Sequence, residues 1–366
     1  MDVDEQTRVA IVGVGQSDRA PSRRDVDYSE LAGEAVDRAL LDAGVQLTDI
    51  DHAVTAALDF VDGRTIASMS TAEVVGSFLK PEGRLCGDGT NAVHYAWAKM
   101  RTGGYRIGLI VAHAKESQGD HHLIESAAFD PFAERRLEPD GDVVAGLSAR
   151  RYYEVSGHDP QAAAEAVANA RAAGADAPAA LDLPAVSADD VLGSEPLASP
   201  LRRLDRAPRG DGACALVVVS ADLAADLAEV PVWIAGASVR TDAYWMDRDL
   251  ASTDALEAAA SDVVAQAGWT SPPDLVELSA QYSFQALQFS RAFEQVGTTP
   301  TTPSGGWLAG GPQIVSGLDR VAACVDQLRG RAGSRQLPAP RQALAHGFHG
   351  LGAQTHGIVA LEGGAA

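Results

Sequence analysis

Short apolar runs suited to buried strands alternate with Ala-rich helical stretches, and the alternation occurs twice along the chain. Residues 8–14 (RVAIVGV) make one such run. Residues 28–44 place Leu31, Ala35, Ala39 and Leu40 on one helical face and close at Gly44, a residue type that ends helices. Residues 51–58 form a second strand, residues 83–103 pass from a short strand through Cys86 into a helix, and residues 106–114 form another buried strand. Strands interleaved with helices predict an α/β fold with a mostly parallel sheet covered on both faces. Roughly 220 residues further on the order returns: an apolar strand at 230–238, a helix closing at 261–268 with Ala-Gly, and a strand at 274–280. A duplicated domain is therefore expected, with halves at 1–227 and 228–366. Residues 117–205 differ in texture, rich in Ala, Asp, Pro and charge, and are expected to form a large insertion over one face of the first half. The strand-like run 210–220 returns the chain to the sheet.

Composition removes several functional classes. The 366 residues carry 29 Lys and Arg against 50 Asp and Glu, a net charge of −21, which argues against a nucleic-acid partner. No apolar run approaches the ~18 residues of a membrane span. The start, MDVDEQTRVAIVGVG, has no basic segment followed by a signal-type apolar stretch, so a cytoplasmic location is expected. Gly13-Val14-Gly15 lacks the third glycine and distal acid of a dinucleotide fingerprint. The three cysteines, Cys86, Cys214 and Cys324, are too few for a disulfide framework and lack metal-type spacing, so no metal site is expected.

Cys86 lies between a short strand and a helix, in RLCGDGTNAVHYAWAKM. A helix N-terminus favours thiolate, its amides are candidate oxyanion donors, and Gly87 and Gly89 leave room for a substrate carbonyl. Taken alone, the residue fits a nucleophile and a structural cysteine in a turn equally. Cys214 and Cys324, set among small apolar residues, fit the core.

The stretch Cys86-Gly-Asp-Gly-Thr-Asn-Ala-Val resembles the Cys-x-Ser-Gly-x-x-Ala element of the thiolase superfamily. The block RYYEVSGHDPQAAAEAVANARAAGA, followed by SADDVLGSEPLASPLRRLDRAPRGDGACALVVV, resembles its sterol-carrier-protein-type, or lipid-transfer, branch. The similarity covers nearly the whole chain. It implies the thiolase fold: duplicated βαβαβ halves, with mixed five-stranded sheets stacked in an αβαβα sandwich and a loop insertion in the first half.

Three elements depart from that family's pattern. The stretch Glu277-Leu278-Ser279-Ala280-Gln281-Tyr282 resembles Glu-x-(Asn/His)-(Asp/Glu)-x-Phe, with Ser279 and Ala280 at the polar positions. Gly310-Gly311-Pro312 resembles Gly-His-Pro without its histidine. His346-Gly347-Phe348-His349-Gly350-Leu351-Gly352 resembles the Gly-rich loop of the second cysteine, with His346 in the cysteine's place and His349 close behind. The resemblance implies Cys86 as nucleophile, His346 or His349 as base, and Ser279, Tyr282 and Gly350 as oxyanion or pocket residues. An imidazole titrating near ~6.5 suits proton transfer at neutral pH. His121 and His122 open the insertion, where pocket and solvent are both open to them; no role follows for them, nor for His52, His94, His113, His158 or His356.

The resemblance further implies acyl transfer from a coenzyme A or carrier-protein thioester, with no bound cofactor and with carbon–carbon bond formation or cleavage. Arg202, Arg203, Arg206, Arg209 and residues 327–335 are candidates for a phosphate-bearing donor or for solvated loops. A homodimer is expected, with a small OB-fold/zinc-ribbon protein as a further partner. Two alternatives stand: a Cys-independent retro-aldolase, and a catalytically silent subunit of an acyltransferase complex.

Overall fold

A computed structural model of the protein describes residues 7–363. Its first half runs β1 (Val9–Gln16), α1 (Tyr28–Ala43), β2 (His52–Ala56), α2 (Ser68–Val74), β3 (Glu82–Leu85), α3 (Gly89–Met100) and β4 (Ile107–Lys115). Helices α4 (His121–Ala127), α5 (Gly141–Ser156), α6 (Pro160–Ala173) and α7 (Ala188–Gly193) follow, then the small hairpin β5 (Pro196–Ala198) and β6 (Leu201–Arg202). Strand β7 (Asp211–Ser220) and α8 (Ala221–Leu227) complete it. The second half contains β8 (Val232–Thr241), α9 (Asp254–Ala267), β9 (Leu275–Glu277), α10 (Ser283–Ala292), α11 (Ser316–Leu328), β10 (Gln342–His349) and β11 (Thr355–Gly363). No described helix is long and apolar enough to cross a membrane.

Local chemistry sets these boundaries. Asp27 caps α1 in a reciprocal box with Glu30, and Gly44 ends the helix at φ 66°, the left-handed conformation that suits glycine.

The main sheet has the order β3-β2-β4-β7-β1-β8-β11-β10-β9. Strands β2–β3, β2–β4 and β9–β10 pair in parallel, whereas β1–β7, β4–β7, β8–β11 and β10–β11 are antiparallel. The sheet is thus mixed rather than mostly parallel; an apolar run marks burial on two faces but not strand direction. A short antiparallel contact, Ala10 to Trp233 and Ile11 to Val232, joins the halves. The second half, β9-β10-β11-β8, repeats the first-half order β2-β4-β7-β1 without a partner for β3, so it has four strands rather than the expected five. Where that strand would run, Thr302 donates its N–H to the Val276 carbonyl.

Helix layers alternate with the sheet halves. Leu31, Ala35, Val36 and Ala39 of α1 pack on the outer face of the first half. Helix α9, through Leu256, Ala260 and Val263, covers the outer face of the second. Helices α3 and α11 lie between the halves, with Val93, Ala96, Leu318 and Val325 in one core with strands of both.

The insertion meets the first half mainly at its start, where Ile124 packs with Val61 and Leu58, and the rest of it reaches the second half. Ala145, Ala149 and Tyr152 of α5 pack on Tyr282 and Phe284, and Ala164 and Val167 of α6 join the core around Phe289 and Trp307. Arg171 donates to the Leu308 carbonyl at 3.1 Å, and Arg151 pairs with Asp249 at 2.8 Å. The segment bridges to the second half because its apolar faces meet those of α10 and its neighbours.

Candidate active site

The carboxyl ends of parallel strands are where ligands bind in open α/β sheets, and three such ends converge here. Strand β3 ends at Leu85 and delivers Cys86; β2 ends at Ala56; β4 ends at Lys115 and delivers Glu116. Ala57 donates its N–H to the Leu85 carbonyl at 3.2 Å, holding Leu58 beside the cysteine turn. Cys86 is exposed, whereas Cys214 and Cys324 are buried, and burial drives both of those thiols well above their ordinary pKa.

Cys86 does not sit directly at the helix terminus. The N-cap of α3 is Asp88, two residues later. Its carboxylate accepts from the Thr90 N–H and hydroxyl at 2.8 and 2.7 Å, while Gly89 donates to the Ile314 carbonyl at 2.9 Å. These first-turn amides are therefore engaged and do not form the expected oxyanion hole. Asp88 also accepts the N–H of Gly317, in the first turn of α11, at 2.9 Å. Burial raises its pKa to about 6 despite these donors.

Side-chain alternation along β10 separates the two candidate histidines. Gly347 faces α3: a Cβ there would stand 1.9 Å from Asp88 Oδ1. His349 shares that face. A Cβ on Gly87, the residue after Cys86, would lie 3.2 Å from His349 Cε1 and 3.4 Å from Nε2, so the imidazole rests against the cysteine turn. His349 Nδ1 is buried without a hydrogen-bond partner, and burial lowers its pKa.

His346 points the other way, which corrects its assignment as the base. It is fully buried with Phe289, Phe293 and Phe348, and its Nε2 lies 3.0 Å from His356 Nδ1. Desolvation lowers its pKa to about 3 and drives that of His356 well down too. Three residues apart on a strand means opposite faces, so only His349 faces the cysteine turn.

A cavity of about 210 Å³ opens between α4, α5, Leu58 and the β10–β11 turn. Leu58, Val61 and Ile124 give it apolar walls, and Tyr282, Gly350 and His121 line it as well. Gly350 adopts φ 86° and turns the chain past the cavity. The Tyr282 hydroxyl donates to Asp142 Oδ1 at 2.7 Å; burial, then this carboxylate, hold the phenol protonated. The Ser279 hydroxyl is buried and paired with Ser316 Oγ at 2.8 Å. A further cavity of about 270 Å³, walled by Ala166, Leu278 and Trp307, has no acid, cysteine or histidine in its lining and lies on the His346 side.

The arginines proposed for a phosphate are engaged within the protein. Arg206 pairs with Asp142, Arg209 with Glu125, Arg203 with Glu195, and Arg329 and Arg331 with Asp42; Arg202 donates to the Ser194 carbonyl. Sequence reasoning gave Asp88 and Glu116 no role. Asp88 was visible only as a residue within the cysteine motif, and Glu116 only as the first acid after an apolar strand.

A family model described as thiolase C-terminal domain-like matches residues 285–362. Acetyl-CoA acetyltransferase of Methanothermobacter thermautotrophicus is 28% identical over 375 residues, spanning 94% of this chain and 97% of that protein. Sterol carrier protein 2 of Gallus gallus is 25% identical, spanning 95% of this chain and 70% of that protein. A solved structure described as Ltp2-ChsH2(DUF35) aldolase superposes with a TM-score of 0.79 at 23% identity, covering 97% of this chain and 98% of that one. The chain has the thiolase fold and is similar over nearly its whole length to proteins described as an acetyl-CoA acetyltransferase and a sterol carrier protein 2.

Proposed function

We propose that the protein is a thiolase-like acyltransferase that carries an acyl group on Cys86, taken from a coenzyme A or carrier-protein thioester. The observation that carries this is the exposed Cys86 at the end of β3 with the His349 imidazole against Gly87, while the cavity lined by Leu58 and by Gly350, the residue after His349, opens at the same end of the sheet. His349, kept neutral by burial, takes the thiol proton as sulfur attacks the thioester carbonyl. The tetrahedral adduct then expels the donor thiolate, which recovers that proton. Transfer of the acyl group to a carbon nucleophile, or the reverse cleavage, completes the cycle. The related acetyl-CoA acetyltransferase supports the donor class.

A Cys-independent retro-aldolase is the second reading. The engagement of the α3 amides by Asp88 favours it, since the sulfur then lacks the helix terminus as an activating feature. The Tyr282 hydroxyl, within the cavity lining, is the alternative acid for that reaction.

The assembly we propose is a homodimer across the β3 edge, with the small OB-fold protein as a further partner. Strand β3 ends the sheet, and Phe60, Phe78, Leu79 and Tyr95, in or near its approach, are exposed. An open edge beside large apolar side chains suits burial against a second copy.

Intact-mass measurement after incubation with a panel of acyl-CoA donors tests the nucleophile. An acyl adduct is expected on the wild type and none on Cys86→Ala. Turnover surviving Cys86→Ala transfers support to the retro-aldolase. With the OB-fold partner supplied, neither adduct nor turnover leaves a silent subunit.

A further inference from the structure

Within the acyl-transfer reading, on which this inference rests, the carbon–carbon step needs a group that removes a proton from the carbon beside the thioester. His346 is sealed on the wrong side of β10, and Gly310-Gly311-Pro312 offers no imidazole. We propose that His121 is this proton-transfer group, with Glu116 as the positioning residue that fixes its ring.

The geometry runs from strand end to cavity. Glu116 follows β4, beside the β2 end that holds the cysteine turn. Its carboxylate is buried; Oε1 accepts the Gln313 N–H at 2.7 Å, and Oε2 is buried without a hydrogen-bond partner. Gln313 precedes Ile314, whose carbonyl holds Gly89, so Glu116 is tied to the Cys86 loop through one short segment. The Glu116 carbonyl lies 2.7 Å from His121 Nε2. A carbonyl only accepts, so Nε2 carries the proton and Nδ1 keeps the lone pair: a neutral imidazole in one tautomer. Partial burial, with Arg209 and Arg206 nearby, lowers the His121 pKa and keeps that lone pair free near neutrality. His121 lines the same cavity as Leu58, Gln313 and Gly350.

In the step itself, Nδ1 takes the α-proton of the acyl thioester. The C–H pair moves to the carbonyl oxygen as an enolate, and the ring becomes imidazolium. Return of a proton from the ring restores the thioester; alternatively the enolate attacks the acyl carbonyl held on Cys86, the tetrahedral adduct breaks its C–S bond and expels the Cys86 thiolate, and that thiolate recovers the proton left on the imidazolium. The duties are thus divided, His349 serving sulfur and His121 serving carbon.

Exchange of α-protons for deuterium tests this, with acetyl-CoA, propionyl-CoA and longer acyl-CoA donors incubated in D₂O and read by mass. His121→Gln keeps an N–H for the Glu116 carbonyl but has no basic nitrogen. Exchange is expected to fall about 10²-fold or more, while Cys86 acylation stays within about threefold. Glu116→Gln should lower exchange less than His121→Gln. If His121→Gln does not fold, His121→Asn is measured in its place, with the same expectation. Three results overturn the proposal: exchange within threefold of wild type in the variant, exchange and acylation falling together, or no wild-type exchange with any donor. An unlabelled Cys86 with exchange retained and lost in His121→Gln sinks the nucleophile and leaves His121 standing.

Discussion

The two faces of β10 carry the same residue type under opposite conditions. On one face, His349 is half-buried and rests against Gly87, the residue after the exposed Cys86. On the other, His346 is fully enclosed by aromatic rings and bonded to another histidine. Three positions of sequence separate a group able to exchange protons with substrate from one that is packing. A Gly-rich motif locates the loop; strand alternation decides which of its imidazoles faces the chemistry.

Exchanging the roles in experiment is the sharpest way to break this contrast. His349→Gln should lower turnover by about 10²–10⁴-fold, whereas His346→Gln should stay within about threefold, measured as kcat on a donor that acylates Cys86. The reverse result would move the base to the other face.

Next in size is Gly347→Ala. A Cβ there would stand 1.9 Å from Asp88 Oδ1, and overpacking of this kind costs about 3 kcal/mol. Urea unfolding should show a loss of that order, and an unchanged midpoint would mean that β10 does not press on Asp88.

The smallest effect concerns acid. His346 titrates at about 3 in the folded state against ~6.5 when unfolded, so the unfolded chain binds more protons between those values. Its contribution is complete above the unfolded pKa and is lost as pH falls through the window, by about 2 kcal/mol at ~pH 5. His356, also lowered, adds in the same direction. Burial of Asp88 and Glu116, raised to about 6 and about 7, gives the opposite slope, with stability lost as pH rises through those values. As pH falls from 7 to 5, His346→Leu should therefore gain about 2 kcal/mol in urea unfolding relative to wild type, whatever the net slope set by the other groups; an identical pH dependence in the two proteins would show that His346 is not neutral in the core.

Much of the architecture was legible in the chain because periodicity and burial go together. The α1–β2 and α9–β9 units stand where the Ala-Gly repeat places them, since each helix buries an Ala-rich face and stops at a left-handed glycine, Gly44 or Gly268. Strand direction was not legible, nor was the missing fifth strand, because neither leaves a mark in local hydropathy. That most of the insertion packs on the second half was not legible for a similar reason: Ala145 and Ala164 announce a buried face without naming its partner. At the site, Cys86, Tyr282 and Gly350 were singled out from motif position, and the sequence order suffices for that. His346 was misassigned since a gapless comparison of Gly-rich loops is indifferent to a shift of three. Glu116 and Asp88 escaped because a buried acid reads like any other acid until its neighbours are known.

Asp88 fills the space above two glycines in the opposite half, Gly317 and Gly347, where a Cβ would come within 1.8 and 1.9 Å of its Oδ1. Tolerance at these three positions is consequently collective. A library that varies either glycine alone should return only glycine, yet one that first trims residue 88 to Ala should admit a small side chain at 317, while 347 stays confined by the Gly317 backbone, whose Cα would lie 2.9 Å from its Cβ. The two halves of the fold are keyed to one another by a single carboxylate, and neither can be redesigned there without rewriting the other.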